Sequence, residues 1–170
     1  MNLVLTGFMG TGKTAAGKIV AKMLGFGFVD TDELVEKSAE IPISEIFADH
    51  GEEVFRQMES EAVEAVAELD NLVISCGGGV VLNPRNLEAL RQKGIIINFT
   101  ASPEAVYERV KHETHRPLLR CSDPLSEIRK ILKTRENAYK MNDFSIDTTK
   151  LTVEQAAAKA VEAFKSKLTK

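Results

Sequence analysis

Residues Gly7-Phe8-Met9-Gly10-Thr11-Gly12-Lys13-Thr14 meet the pattern G-x-x-x-x-G-K-[ST] at every fixed position. An apolar run at residues 3–5 precedes them, and a helix-forming stretch at 15–24 follows. Strand, glycine loop and helix in this order leave few architectures open. The loop needs a strand behind it and a helix N-terminus in front of it. Backbone N–H groups turned inward, with the partial positive charge of the helix end, make an anion site. Gly7, Gly10 and Gly12 let the backbone approach phosphate without Cβ clashes. Lys13 can then reach the β- and γ-phosphates, and Thr14 can offer its hydroxyl to Mg²⁺. A glycine-rich turn without a ligand is the bland alternative, and the correct flanks argue against it.

Short apolar runs recur at 3–5, 27–29, 72–75, 95–99 and 144–146, each beside a helical pattern. Such alternation predicts a parallel sheet covered by helices on both faces. Helix punctuation supports it. Gly25 and Gly94 are expected as C′ residues after helices at 15–24 and 87–93. Asn83-Pro84 and Ser102-Pro103 read as N-cap followed by N1. Thr152 with Gln155 forms a capping box before a helix over 153–168. A long helix covers 46–59 and beyond, with Phe55, Met58, Ala62 and Leu69 expected on its buried face. Residues 111–124 are charged, hold two prolines and lack an apolar period, which predicts a mobile loop.

With 170 residues the chain is expected to form one domain with a real core. A net charge of −3 gives no general drive toward nucleic acid or membrane. No apolar run is long enough to span a bilayer and no signal peptide is visible. Cys76 and Cys121 are therefore expected as free thiols in a reducing cytoplasm.

Asp30 and Asp32 follow the second predicted strand directly. In doubly wound folds ligands bind outside the carboxyl ends of the strands. Two carboxylates there suit Mg²⁺, through water, and a substrate hydroxyl. Either aspartate can also cap the helix at 33–38, and the two roles are compatible. Arg56 has Glu52 and Glu59 at helical spacing. Spacing alone supports equally a surface ion pair worth at most about 1 kcal/mol and a guanidinium held for a substrate carboxylate. Gly77-Gly78-Gly79 ends the third strand, as a tight turn or as a close approach to a small ligand. The acidic residue that often ends this strand is missing, Ser75 and Cys76 standing there, which moves metal support to Thr14 and Asp30. Arg116, in the loop at 111–124, can close over phosphates or remain a solvated charge. His112, His115 and Cys121 fit no standard zinc spacing. Arg135, with Tyr139 one turn on, is explained equally well by a plain helix surface.

Taken together, GFMGTGKT at 7–14, FVDTD at 28–32, IFADHGEEVFRQME at 46–59, ISCGGGVV at 74–81, RPLL at 116–119 and RENAY at 135–139 resemble the shikimate kinase family over nearly the full length. The glycine loop is widely shared; the conjunction of these segments is far more specific. The resemblance implies a three-layer α/β/α fold of one domain over 1–170. Its five-stranded parallel sheet would have the order 2-3-1-4-5, with a substrate-binding segment at about 31–60 and a lid at about 111–124. It implies transfer of the γ-phosphoryl of ATP to the 3-hydroxyl of shikimate, in the pathway to chorismate and the aromatic amino acids, by a cytoplasmic monomer. Gly10, Thr11, Gly12, Lys13, Thr14, Ala15, Arg109 and Arg116 would bind the nucleotide, with Arg109 against adenine. Thr14 and Asp30 would hold Mg²⁺. Asp32 would hold the attacking hydroxyl; Lys13, Asp32 and Arg116 form the implied catalytic set. Arg56, Gly77, Gly78, Gly79 and Arg135 would join Asp32 around shikimate, the two arginines on its carboxylate. A kinase for another polyol acid, such as gluconate or quinate, and a nucleotide-dependent regulatory module are the competing readings.

Overall fold

Five apolar segments form five parallel strands: β1 (Asn2–Gly7), β2 (Gly27–Asp30), β3 (Leu72–Ser75), β4 (Gly94–Thr100) and β5 (Phe144–Asp147). In this computed structural model, which describes residues 1–113 and 121–169, they lie in the order β2-β3-β1-β4-β5. That is the order implied by the family resemblance. Seven helices are described: α1 (Lys13–Leu24), α2 (Thr31–Ala39), α3 (Ile43–Ala67), α4 (Pro84–Lys93), α5 (Pro103–Val110), α6 (Pro124–Tyr139) and α7 (Val153–Leu168).

Side chains alternate across the central strand, and that period of two builds two cores. Leu3 and Leu5 of β1 pack with Ala16 and Val20 of α1 and Ala157, Val161 and Phe164 of α7. Val4 points the other way, into a cluster with Ile74, Ile96, Val63 of α3, Leu87 and Leu90 of α4, Val106 of α5 and Ile128 of α6. Both faces of the sheet are thus covered, so its central strands read as unbroken apolar runs. A third, smaller cluster of Val35, Ile46 and Phe55 joins α2 to α3, away from the sheet.

The expected caps hold at several ends. Gly25 takes the left-handed conformation at φ 68° and closes α1. Asn83 and Ser102 cap α4 and α5 with Pro at the first turn, and Thr152 with Gln155 forms the full capping box of α7. Gly94 differs: its φ of −133° is extended and it opens β4 instead of ending α4 as a C′ residue. Its lack of a side chain has another cause, because a Cβ there would stand 2.5 Å from the Leu90 carbonyl oxygen and 2.8 Å from Val4 Cγ2. Leu69 also departs from expectation. Helix α3 ends at Ala67, so Leu69 falls past the buried stripe and is 52 % exposed. Within α3, Gly51 at φ 82°, ψ 174° breaks the helical path. A non-glycine residue would be strained there. Phe47 and Phe55, on either side of the kink, meet with ring centroids 4.7 Å apart.

Of the expected loop at 111–124, residues 114–120 lie outside the described residues, and Arg116 and Arg120 with them. α6 opens at Pro124, capped by Asp123.

Candidate active site

Parallel pairing sets the carboxyl ends of β1, β2 and β3 side by side. Asp30, the last residue of β2, pairs with Ser75, the last of β3, and Ser75 pairs with Leu5. The glycine loop leaves β1 at this edge and feeds α1. Its backbone follows the positive-φ requirement: Gly7, Gly10 and Gly12 have φ of 138°, 70° and 92°. Thr11, buried, locks the loop through Oγ1 to the Phe8 carbonyl at 2.8 Å. Lys13 is buried, and its ammonium donates to the carbonyls of Gly7 and Phe8 at 2.8 and 2.9 Å. Met9, Gly10, Gly12, Lys13, Thr14, Ala15, Gly77 and Gly78 line a recess of about 230 Å³ with Asp30 and Asp32.

Thr14 and Asp30 meet as the sequence suggested. Thr14 Oγ1 donates to Asp30 Oδ2 at 2.8 Å and lies 3.4 Å from Ser75 Oγ. Asp30 is buried and also caps α2, its Oδ1 accepting from the Asp32 backbone N–H at 3.0 Å. The capping role and the place beside Thr14 therefore coexist on one carboxylate, each with its own oxygen.

The same edge opens into a larger cavity of about 640 Å³. Thr14, Asp30, Asp32, Arg56, Glu59 and Arg135 are among the polar side chains of its lining, which also includes Gly78, Gly79 and further carboxylates from Glu33, Glu36 and Glu52. Phe8, Phe47, Phe55 and Ile43 supply apolar wall, so polar groups converge in a partly apolar concavity, the usual form of a small-molecule site. Arg56 is half-buried. Its Nη1 donates to Glu59 Oε2 at 2.8 Å, while Nε and Nη2 reach Glu52 Oε1 at 3.3 and 3.2 Å. Glu59 is only 2 % exposed, and its Oε1 has no hydrogen-bond partner among the described residues. Burial pushes the Glu59 carboxyl above the usual range, and Arg56 offsets this only in part. Arg56 stays above its ordinary value because Glu59 and Glu52 outweigh the burial that opposes its charge.

Two of the three consecutive glycines have a local cause. A Cβ on Gly77 would stand 2.3 Å from Asp32 Oδ1, and one on Gly79 would stand 2.0 Å from Arg56 Nη1. The segment is glycine because the Asp32 carboxylate and the Arg56 guanidinium lie directly on its backbone. Gly78 is different: a Cβ there would meet only ordinary contacts, the nearest being Met9 N at 3.6 Å. Thr31, between the two aspartates, fixes the start of the segment, its Oγ1 accepting from the Gly77 N–H at 2.8 Å.

Arg109 does not line either space. Its Nη1 donates to the Gly10 carbonyl at 3.0 Å and its Nη2 to the Thr148 carbonyl at 2.7 Å, which binds the loop after β5 to the glycine loop. Thr148 Oγ1 lies 3.0 Å from the Thr11 carbonyl and strengthens that junction. Sequence reasoning missed this bracing, as it missed the burial of Glu59 and the contact from Tyr139 to Gly78. For Glu59 the signal was present, since it stands three residues from Arg56, but its depth depends on how α3 packs over the glycine segment. Cys76, at the start of that segment, is buried, and burial pushes its thiol far up, so it behaves as a small apolar residue.

A family model described as shikimate kinase matches residues 9–165. Among curated proteins, the shikimate kinase of Caldanaerobacter subterraneus is 48 % identical over 163 residues, covering 96 % of this chain and 95 % of the relative. That of Thermoanaerobacter pseudethanolicus is 45 % identical with the same coverage. Among solved structures, shikimate kinase from Acinetobacter baumannii in complex with shikimate aligns with a TM-score of 0.95 at 31 % identity, over 99 % of this chain and 95 % of the other.

Proposed function

The chain belongs to the shikimate kinase family, and on that premise we propose that it transfers the γ-phosphoryl of ATP to the 3-hydroxyl of shikimate, giving shikimate 3-phosphate and ADP. The observation that carries this reading is the make-up of one cavity. Its lining holds the Thr14–Asp30 pair beside the phosphate loop together with Asp32 and two arginines, Arg56 and Arg135. A phosphoryl donor at one end, a carboxylate in the middle and cationic forks at the other fit an acceptor that carries a hydroxyl and a carboxylate.

Thr14 Oγ1 and Asp30 Oδ2 are adjacent hard oxygen donors, a set that suits Mg²⁺, which takes oxygen ligands and keeps several waters. When bound, the ion would neutralise charge on the phosphates. The chain's own residues do the rest. The N–H groups of residues 10–15 and the N-terminus of α1 cradle the phosphates. Lys13 turns from the loop carbonyls toward the transferring group, where its charge matters most in the transition state. Asp32 holds the attacking hydroxyl in line and takes its proton as the O–P bond forms. Arg56 and Arg135 bind the acceptor carboxylate, with the backbone of Gly77, Gly78 and Gly79 as the wall between them and Asp32. Arg109 supports the nucleotide side, and Arg116 closes over the phosphates from the segment at 111–124. Exclusion of water by that closure keeps the phosphoryl group from hydrolysis. The enzyme works as a monomeric single domain in the cytoplasm.

ADP release with ATP and Mg²⁺ tests the reading when measured with and without shikimate, and with gluconate and quinate in its place. Release that depends on shikimate alone is expected. Release with another acid keeps the mechanism and moves the specificity. ATP binding without release for any acceptor favours a regulatory module.

A further inference from the structure

We propose that Tyr139 is a positioning residue for the acceptor, its hydroxyl fixing the orientation of the peptide that joins Gly78 to Gly79. The inference rests on the reading of residues 77–79 as the acceptor wall. Tyr139, the last residue of α6, donates to the Gly78 carbonyl at 2.6 Å across a sequence separation of 61 residues. The neighbouring carbonyls are held locally. Gly77 O accepts from Val80 N at 3.2 Å and Gly79 O from Leu82 N at 2.9 Å. Gly78 O is held from another helix, by Tyr139 and, at the longer distance of 3.4 Å, by Arg135 Nη1 one turn earlier.

A glycine has no side chain whose packing could hold its peptide planes, and its backbone is the most permissive of all. What grips the Gly78 carbonyl therefore decides how the plane lies. In a trans peptide the N–H of one residue points opposite the C=O of the residue before it. A carbonyl anchored on Tyr139 sends the Gly79 N–H the other way. Gly78 and Gly79 both line the cavity that holds Asp32, Arg56 and Arg135. Asp32 and Arg56 crowd the Cβ positions of Gly77 and Gly79, on either side of Gly78 in the chain, so a tilt of this plane alters the wall against which both seat a ligand. Tyr139 is 8 % exposed and packs in the cluster that contains Phe8, Val80 and Ile128. The packing of the ring thus survives removal of the hydroxyl, and only the hold on the Gly78 carbonyl is lost. Burial raises the Tyr139 pKa, so the hydroxyl keeps the proton that it donates.

The test is Tyr139→Phe in the full chain. Loss of one neutral hydrogen bond predicts an acceptor KM raised about three- to tenfold, with kcat and the ATP KM changed less than about twofold. Glycine-selective ¹⁵N labelling supplies a readout that needs no turnover: the Gly78 and Gly79 amide resonances move, while those of Gly25 and Gly51 stay. Wild-type acceptor KM together with unmoved glycine amides overturns the proposal and leaves Tyr139 as a satisfied core tyrosine. Equal loss for ATP and acceptor with a lowered Tm also overturns it, as general loosening. If the wild-type protein does not phosphorylate shikimate, the functional reading fails by itself, and the amide shifts still decide the role of the hydroxyl.

Discussion

Replacement of Gly79 by alanine tests the proposed acceptor-binding role of Arg56 without changing the arginine itself. The new methyl would stand 2.0 Å from Arg56 Nη1, 2.5 Å from Cζ and 2.7 Å from Nη2, where ordinary contact begins near 3.4 Å. The obstacle is the tip of a half-exposed side chain, so the guanidinium yields and the backbone does not. It must retreat by roughly 1.4 Å, which the 2.8 Å contact with Glu59 Oε2 cannot follow. Arg56 then loses its register both with its buried partner and with an acceptor carboxylate. A hydrogen bond to a charged group contributes about 1.5–3 kcal/mol, which corresponds to an acceptor KM raised about 10- to 150-fold. The assay is steady-state ADP release at saturating ATP with varied shikimate, beside a thermal melt. The variant is expected to fold, because Gly79 has φ −99°, which alanine also adopts, but to melt below the wild type, because the buried Glu59 loses its pairing with Arg56. An acceptor KM within twofold of the wild type, in a folded variant, would refute the reasoning and return Arg56 to a surface ion pair.

Other outcomes follow from the same geometry. Asp32→Asn keeps the shape of the side chain but removes its charge, and is expected to abolish transfer while titration calorimetry still shows ATP binding. Asp30→Asn keeps the cap of α2 and so the melting temperature, but raises the Mg²⁺ concentration needed for half-maximal rate; Asp30→Ala in addition loses about 1 kcal/mol of capping in denaturant titrations. Glu59 is held above its ordinary pKa of 4.5 by burial. Between its folded value and 4.5 the folded state binds a proton that the unfolded chain lacks. Wild-type stability relative to Glu59→Gln is therefore expected to rise as the pH falls from neutrality toward 4.5, then level off. Paired melts across that range check the sign, and a difference that grows in favour of the wild type as pH rises would contradict it.

Most of the fold was legible because its signals are local. Five apolar runs, a glycine loop and several capped helices stand in the sequence, and β-α alternation turns them into a covered parallel sheet. The strand order came from the family resemblance, since no run of residues states its neighbour in a sheet. Gly94 was misread for an instructive reason: a glycine after a helix suggests a left-handed cap, whereas here it is excluded volume, from Leu90 and Val4, that forbids a side chain. Leu69 was misplaced because the buried stripe of α3 was extended past the turn where the helix stops. In the site, the Thr14–Asp30 pair was readable, because a phosphate loop and the end of the adjacent apolar run fix both. Arg56 was not, since helical spacing is the same for a surface pair and a ligand clamp. The depth of Glu59 and the closeness of Arg56 to Gly79, which support the proposed clamp, depend on how α3 packs in three dimensions. Tyr139 lay still further from reach, because its partner is a backbone carbonyl 61 residues away.

The central claim is that this cavity directs the γ-phosphoryl group to one hydroxyl of a carboxylate-bearing acceptor. Phosphorus NMR of the product formed from ATP and shikimate tests it most directly. A single phosphomonoester whose phosphorus couples to the proton on carbon 3 of the ring is the predicted result. Inorganic phosphate alone, or an ester on another carbon, would contradict the proposed role of Asp32 in holding the 3-hydroxyl for transfer.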